Sequence, residues 1–328
     1  MSDSLDVRIV TPAASGTQLG NRVTAERYGR LLGELGHRAQ IARELGSAPC
    51  DVVIALHARR SAACCAQAKA EDPQRPLVLV LTGTDLYRDI HESEAARRSL
   101  ALADRLVVLH PRGGAELEPA LRAKVRAIVQ SVELPAHFEP CSPDANSFQV
   151  CVLGHLRPVK DPLRTAEAAR LLPAHSKLRV VHLGAALDAQ MERRAREEAA
   201  SNARYDWRGE LPRAEALAVL ASSHAHVLSS HMEGGANALC EAIACGVPTL
   251  SSAIASSVGI LGEDYPGYFE VGDTRGLADL LARLESQPSY AAELRAHTAS
   301  KAELLRPARE RAALEALLAE LVRPTSSR

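Results

Sequence analysis

Short apolar runs recur along the chain at the intervals of a parallel α/β sheet. Val7–Val10, Val52–Leu56, Leu77–Leu81 and Leu106–Leu109 each hold four or five mostly aliphatic residues. They lack the alternation of a half-solvated strand, so they predict strands covered on both faces. Amphipathic stretches such as Val23–Leu35 separate them, and the alternation predicts a βαβ sheet. The pattern breaks over residues 133–147, where Pro135, Pro140 and Pro143 stand among polar residues, and a second alternating series starts at Phe148. The break reads as an interdomain linker at 136–147, between one domain of residues 1–135 and another of 148–302. Over 303–328, Pro307 can open a helix whose Leu314, Leu317, Leu318 and Leu321 share one apolar face. That helix can pack on its own domain or cross back to the first.

Composition agrees with two domains. A chain of 328 residues, 46% of them hydrophobic, fills two cores of about 150 residues each. A net charge of -1 gives no electrostatic case for a nucleic-acid or membrane partner, so any anion site must be local. The seven cysteines are odd in number and scattered, with no Cys-x2-Cys pair, which points to reduced thiols rather than a disulfide framework or a zinc site. No stretch approaches the roughly eighteen apolar residues of a spanning helix, and the first residues lack a charged region followed by an apolar one. A cytoplasmic enzyme is expected.

The candidate chemistry concentrates between Ser230 and Pro248. Glu233 and Glu241 flank the pair Gly234-Gly235 and lie eight positions apart. On a continuous helix that spacing sets the two carboxylates about 12 Å apart, the span of a sugar, a diphosphate and a ribose. Carboxylates only accept hydrogen bonds, so Glu241 suits ribose hydroxyls and Glu233 a sugar hydroxyl. The N–H groups at Gly234, Gly235 and Ala236, at the expected helix start, suit the diphosphate between them. Gly246 then stops the helix, and a strand is expected over Val247–Leu250. There is no Asp-x-Asp, so no metal site is expected and positive charge must come from side chains and helix ends.

The first half offers polar strand ends. A loop enters a helix at Gly20-Asn21-Arg22, and two more strands end in His57-Ala58-Arg59-Arg60 and Thr82-Gly83-Thr84-Asp85, with His110 ending another. In a parallel sheet these ends gather on one side. The set Gly20, Asn21, Arg22, Arg59, Thr82, Thr84 and Asp85 is small, polar and cationic, which suits a compact anionic acceptor. With only 3% aromatic residues, a stacked polysaccharide is disfavoured.

The block from Ala225 to Leu250 resembles the donor-binding segment of the GT-B glycosyltransferases, in particular the retaining family 4. Leu153-Gly154-His155-Leu156-Arg157-Pro158-Val159-Lys160-Asp161-Pro162 is similar to that family's Gly-Arg-Leu and Lys signature. Val181-His182-Leu183-Gly184 and Trp207-Arg208-Gly209-Glu210-Leu211 are similar to its later strand-turn elements. The resemblance implies an α/β fold of GT-B architecture, two Rossmann-like βαβ domains with parallel sheets facing a central cleft. It implies Lys160 as the phosphate lysine and adds Gly209 and Leu211 to the nucleotide-sugar site. The chain departs from the pattern at His155, where the family usually has arginine five residues before the lysine; either His155 or Arg157 can take that place.

Gly20-Asn21-Arg22-Val23-Thr24-Ala25, Leu81-Thr82-Gly83-Thr84-Asp85-Leu86-Tyr87, the block His155–Pro162 and the run Gly259–Phe269 together resemble the selenosugar synthases of bacterial selenoneine biosynthesis. That resemblance implies a UDP-sugar donor, UDP-N-acetylglucosamine or UDP-glucose, and selenophosphate as acceptor, with no cofactor. Lys160, Arg157 and the Gly234-Gly235 turn would then stabilise departing UDP, with Glu233 on the sugar. His110 or Asp85 would position the acceptor more than deprotonate it, since selenophosphate is already anionic. An ordinary glycosyltransferase acting on a hydroxyl, a UDP-sugar epimerase and a nucleotide-sugar binding subunit are the alternatives.

Overall fold

The computed structural model describes residues 4–17, 20–135, 138 and 146–322. The chain divides into two units, one of Met1–Ser131, Glu233–Gly235 and Arg306–Arg328, the other of Val132–Met232 and Ala236–Leu305. Each carries one six-stranded, wholly parallel sheet.

In the first unit the strands are β1 (Asp6–Val10), β2 (Arg38–Ala42), β3 (Val52–Leu56), β4 (Leu77–Leu81), β5 (Arg105–Val108) and β6 (Val125–Ala127), in the order β2-β1-β3-β4-β5-β6. The aliphatic runs of β3 and β4 are buried at every position, because helices cover both faces of a parallel sheet. The edge strand β2 is Arg-Ala-Gln-Ile-Ala with no buried position, and β6 is three residues long. Neither edge has an apolar run, which is why the sequence pattern did not announce them.

The second unit holds β7 (Phe148–Leu153), β8 (Leu178–Leu183), β9 (Tyr205–Trp207), β10 (Ala225–Leu228), β11 (Thr249–Ser252) and β12 (Tyr268–Phe269), ordered β12-β11-β10-β7-β8-β9. β11 starts two residues later than Val247, since the Val247 N–H still closes on the Ala242 carbonyl of the preceding helix, past Gly246 at φ 71°. Helix ends of this kind use a left-handed glycine to satisfy the last carbonyls.

The chain leaves the first unit at Ser131, four residues before the expected boundary. Leu134 and Phe138 pack with Cys151 and Leu217 of the second unit's core, which draws this segment there. Of the expected linker at 136–147, only Phe138, Asn146 and Ser147 are among the described residues. The chain re-enters the first unit at Arg306, and the helix Pro307–Leu321 buries Leu314, Leu317 and Leu318 among Val7, Ile9, Tyr28 and Leu31. Buried Glu310 on that helix accepts from Arg27 Nε (2.9 and 3.0 Å) and from the Ser131 N–H (2.7 Å).

Strand order locates the crevices. Successive strands run outward in one direction and then resume on the other side of the first strand, between β1 and β3 in the first unit and between β7 and β10 in the second. Open α/β sheets bind ligands at the carboxyl ends flanking such a switch point.

Candidate active site

At the β7/β10 switch point the second unit has a small, open pocket lined by Gly154, His155, Lys160, Pro162, Ser229 and Ser230. Lys160 ends a short 3-10 turn, Pro158–Lys160, and Asp161 after it is held at φ 44°. Ser229 Oγ donates to the Lys160 and Asp161 carbonyls (3.2 and 2.9 Å), and the His231 N–H to the Val159 carbonyl (2.9 Å). The Lys160 stem lies where a Gly154 Cβ would crowd it, at 3.3 Å from Cδ. Glycine at 154 therefore makes room for the lysine.

Two histidines lie behind Lys160. His182 Nε2 meets the Gly154 carbonyl at 3.0 Å, so it donates, and Nδ1 accepts from Tyr205 Oη (2.9 Å). Burial, aided by Lys160, pushes its pKa down to about 4. Burial and Lys160 likewise take His226, whose Nε2 has no partner, down to about 3. Both rings are neutral, so Lys160 is the one cation lining the pocket among the described residues. His155 Nδ1 accepts the Ala185 N–H (3.1 Å), which puts its proton on Nε2. His155 thus offers a single N–H where the resembled pattern has an arginine, while half-buried Arg157 immediately precedes the turn that carries Lys160.

Glu241 lies on the helix Asn237–Ala244 and pairs with Arg213 (3.3 Å), which also donates to the Glu133 carbonyl (3.1 Å). Arg213, two residues after Leu211, escaped the sequence reading; its signal was its place at the start of the helix Arg213–Ala221. Gly209 takes φ 70° and its carbonyl accepts the Gly184 N–H (2.7 Å), and Leu211 leans on the core beside Cys245.

The helical ruler from Glu233 to Glu241 does not apply. The helix begins only at Asn237, after Ala236 at φ 45°, so half of the eight steps are not helical. Gly234 and Gly235 do not open that helix. They group with Glu233 in the first unit, where a Cβ on Gly234 would overlap the Thr82 carbonyl and one on Gly235 the Gln130 amide.

In the first unit, Asp85 is fully buried and accepts from the N–H groups of Ala58, Thr82 and Gly83, each at 2.9 Å. It ties the ends of β3 and β4 together rather than meeting an acceptor. His110 is also fully enclosed, with Nε2 2.7 Å from Tyr87 Oη and Nδ1 unpartnered. Burial and the nearby Arg112 push its pKa down to about 4, so it reaches a ligand only through Tyr87. Burial raises the Tyr87 phenol, as do Glu116 and Glu233 nearby, so it stays protonated. Arg22 pairs with Glu26 (2.6 Å) and Arg59 with Asp89 (2.8 Å). Thr82 and Thr84 are half-buried, Asn21 lies in the first turn of the helix Gly20–Glu34, and Gly20 accepts from Thr24 Oγ1 (3.0 Å). No cluster of metal-ligating side chains occurs among the described residues.

The family model for glycosyl transferases group 1 matches residues 136–304. Among solved structures, HepE from Anabaena in complex with UDP and glucose aligns with a TM-score of 0.77 at 15% identity, covering 96% of this chain and 100% of that one. Sucrose-phosphate synthase from Thermosynechococcus elongatus aligns at 0.75 and 18%, covering 96% and 98%. The trehalose-phosphate synthase from Burkholderia vietnamiensis aligns at 0.67 and 15%, covering 92% and 78%. No curated sequence matches the chain. No described helix is long and apolar enough to cross a membrane. With a matched segment that fills half of its length, on two Rossmann-like parallel sheets of the GT-B fold, the chain belongs to the glycosyl transferases group 1 family and is a glycosyltransferase.

Proposed function

We propose that the enzyme transfers a hexose or N-acetylhexosamine from UDP-glucose or UDP-N-acetylglucosamine to selenophosphate. The observation that carries the donor half is Lys160, held against Gly154 at the second unit's switch point with only neutral imidazoles behind it. A fixed ammonium there stabilises the charge that develops on a departing diphosphate without reorganising. UDP and glucose bound by HepE support the same donor class, and Glu241 takes the ribose hydroxyls once Arg213 gives way.

The acceptor half rests on the motifs shared with selenosugar synthases and on a first-unit site that has no exposed histidine or carboxylate at His110 and Asp85 to serve as a base. A selenium nucleophile needs none. Its lone pair forms the bond to the anomeric carbon as the carbon–oxygen bond breaks towards UDP; water then cleaves the P–Se bond, releasing phosphate and leaving a selenol. The test is UDP release from each donor with and without selenophosphate. Release that requires selenophosphate, with phosphate formed in equal amount and activity lost in Glu241→Ala, supports the reading. Turnover of UDP-sugar with no acceptor overturns it in favour of an epimerase, and turnover with a hydroxyl acceptor in favour of an ordinary glycosyltransferase.

A further inference from the structure

We infer that Thr84 and Tyr87 bind the oxyanion of the acceptor as neutral hydroxyl donors, and that the buried histidines His57 and His110 orient them. The inference rests on the anionic-acceptor reading above and assigns its residues.

His57 follows β3 at the first unit's switch point, is 2% exposed, and is held at φ 76°. A bulky side chain in the left-handed region is strained, and such strain gathers where the surrounding structure holds a functional group in place. The Arg60 N–H lies 3.4 Å from Nδ1 and can only donate, so the ring proton is on Nε2. Nε2 is 3.3 Å from Thr84 Oγ1 and 3.8 Å from Asp89. The Thr84 oxygen therefore accepts from His57, and its own proton, which has no other partner, turns outward.

His110 does the same for Tyr87. Its Nδ1 is buried with no partner. A buried N–H with nothing to donate to is the rarer and costlier orphan, so the proton sits on Nε2 and is given to Tyr87 Oη at 2.7 Å. The phenol then presents its own proton. Thr84 is the N-cap of the turn Asp85–Asp89 and Tyr87 lies within that turn, so one short element carries both hydroxyls. Asp85 fixes that turn through its three backbone N–H bonds. Two hydroxyls whose protons are left for a ligand suit one that accepts, such as a phosphate-type oxyanion, against the opposing charge of Glu116 and Glu233 near Tyr87. Arg22 and Arg59, the charged alternatives, have Nε committed to Glu26 and Asp89.

The test measures binding and turnover separately. Calorimetry with inorganic phosphate and UDP present reads the oxyanion site without catalysis. Steady-state UDP release reads the acceptor KM apart from the donor KM. Tyr87→Phe and Thr84→Val are each expected to weaken phosphate binding and raise the acceptor KM about tenfold, leaving the donor KM unchanged. His110→Asn should match Tyr87→Phe, and the double variant should be no worse than either, as expected when one residue acts through the other. Phosphate binding unchanged in both hydroxyl variants, or absent from the wild-type protein, overturns the inference. If phosphate binds and the variants weaken it while selenophosphate gives no turnover, the assignment of these residues stands and the selenophosphate reading falls.

Discussion

The two units handle charge in opposite ways. The first buries its charges against partners, Asp85 under three backbone N–H groups and Glu310 between Arg27 and Ser131, while its candidate site presents hydroxyls. The second, which like the first buries imidazoles, here His182 and His226, keeps its charge in the pocket as Lys160. A leaving diphosphate gains charge during the reaction and benefits most from a fixed cation. An acceptor that arrives anionic and loses charge as it attacks is better held by neutral donors, which favour its charged ground state less than a cation would.

The largest test of this contrast is Glu310→Ala. It leaves Arg27 without its carboxylate in a buried setting and should cost about 3–5 kcal/mol of stability, read from the urea midpoint. An effect below about 1 kcal/mol would remove the first half of the comparison. Lys160→Ala follows, with kcat for UDP release expected to fall roughly 10²- to 10³-fold while the circular dichroism spectrum is unchanged; an equal loss of donor affinity alone would make Lys160 a binding residue only.

The histidines predict the acid limb. His182 and His226 have folded pKa values near 4 and 3 against an ordinary 6.5, so between those limits the unfolded chain binds protons that the folded chain refuses. Stability therefore declines as pH falls below 6.5, by on the order of 3–5 kcal/mol for each ring once the window is crossed. Melting temperature against pH should show it, and His226→Leu should flatten the slope. Hydrogen exchange should find β10 losing protection on acidification before β3, since the first unit has only His110 driven as low as about 4. The smallest effect is expected from Arg213→Ala. Arg213 is half exposed, and its pair with Glu241 contributes about 0.2–1 kcal/mol, so the donor KM should move less than about fivefold.

Much of the fold was legible in the chain. The runs at Val52–Leu56 and Leu77–Leu81 coincide with β3 and β4 because central parallel strands must be apolar throughout. The site was legible as residue types near strand ends, and less so as geometry. Asp85 and His110 were identified as polar groups at the right places, yet both face inward, because a backbone N–H cluster claims one and Tyr87 covers the other. Glu233 and Glu241 stand out as a pair, but their spacing fixes a distance only on a continuous helix, and Ala236 interrupts it. Arg213 was not identified, since an arginine at a helix start is ordinary until Glu241 is seen beside it.

The sequence by itself determined that this chain makes two parallel α/β units with polar strand ends, because hydrophobic periodicity and glycine or proline breaks are local properties of neighbouring residues. Strand order, and with it the two switch points, was decided only by tertiary structure. So were the tautomers of His57, His110, His155 and His182, since each depends on a partner brought up from elsewhere in the fold. A histidine's chemistry is set by what its other nitrogen touches, and that contact is made only when the strands assemble.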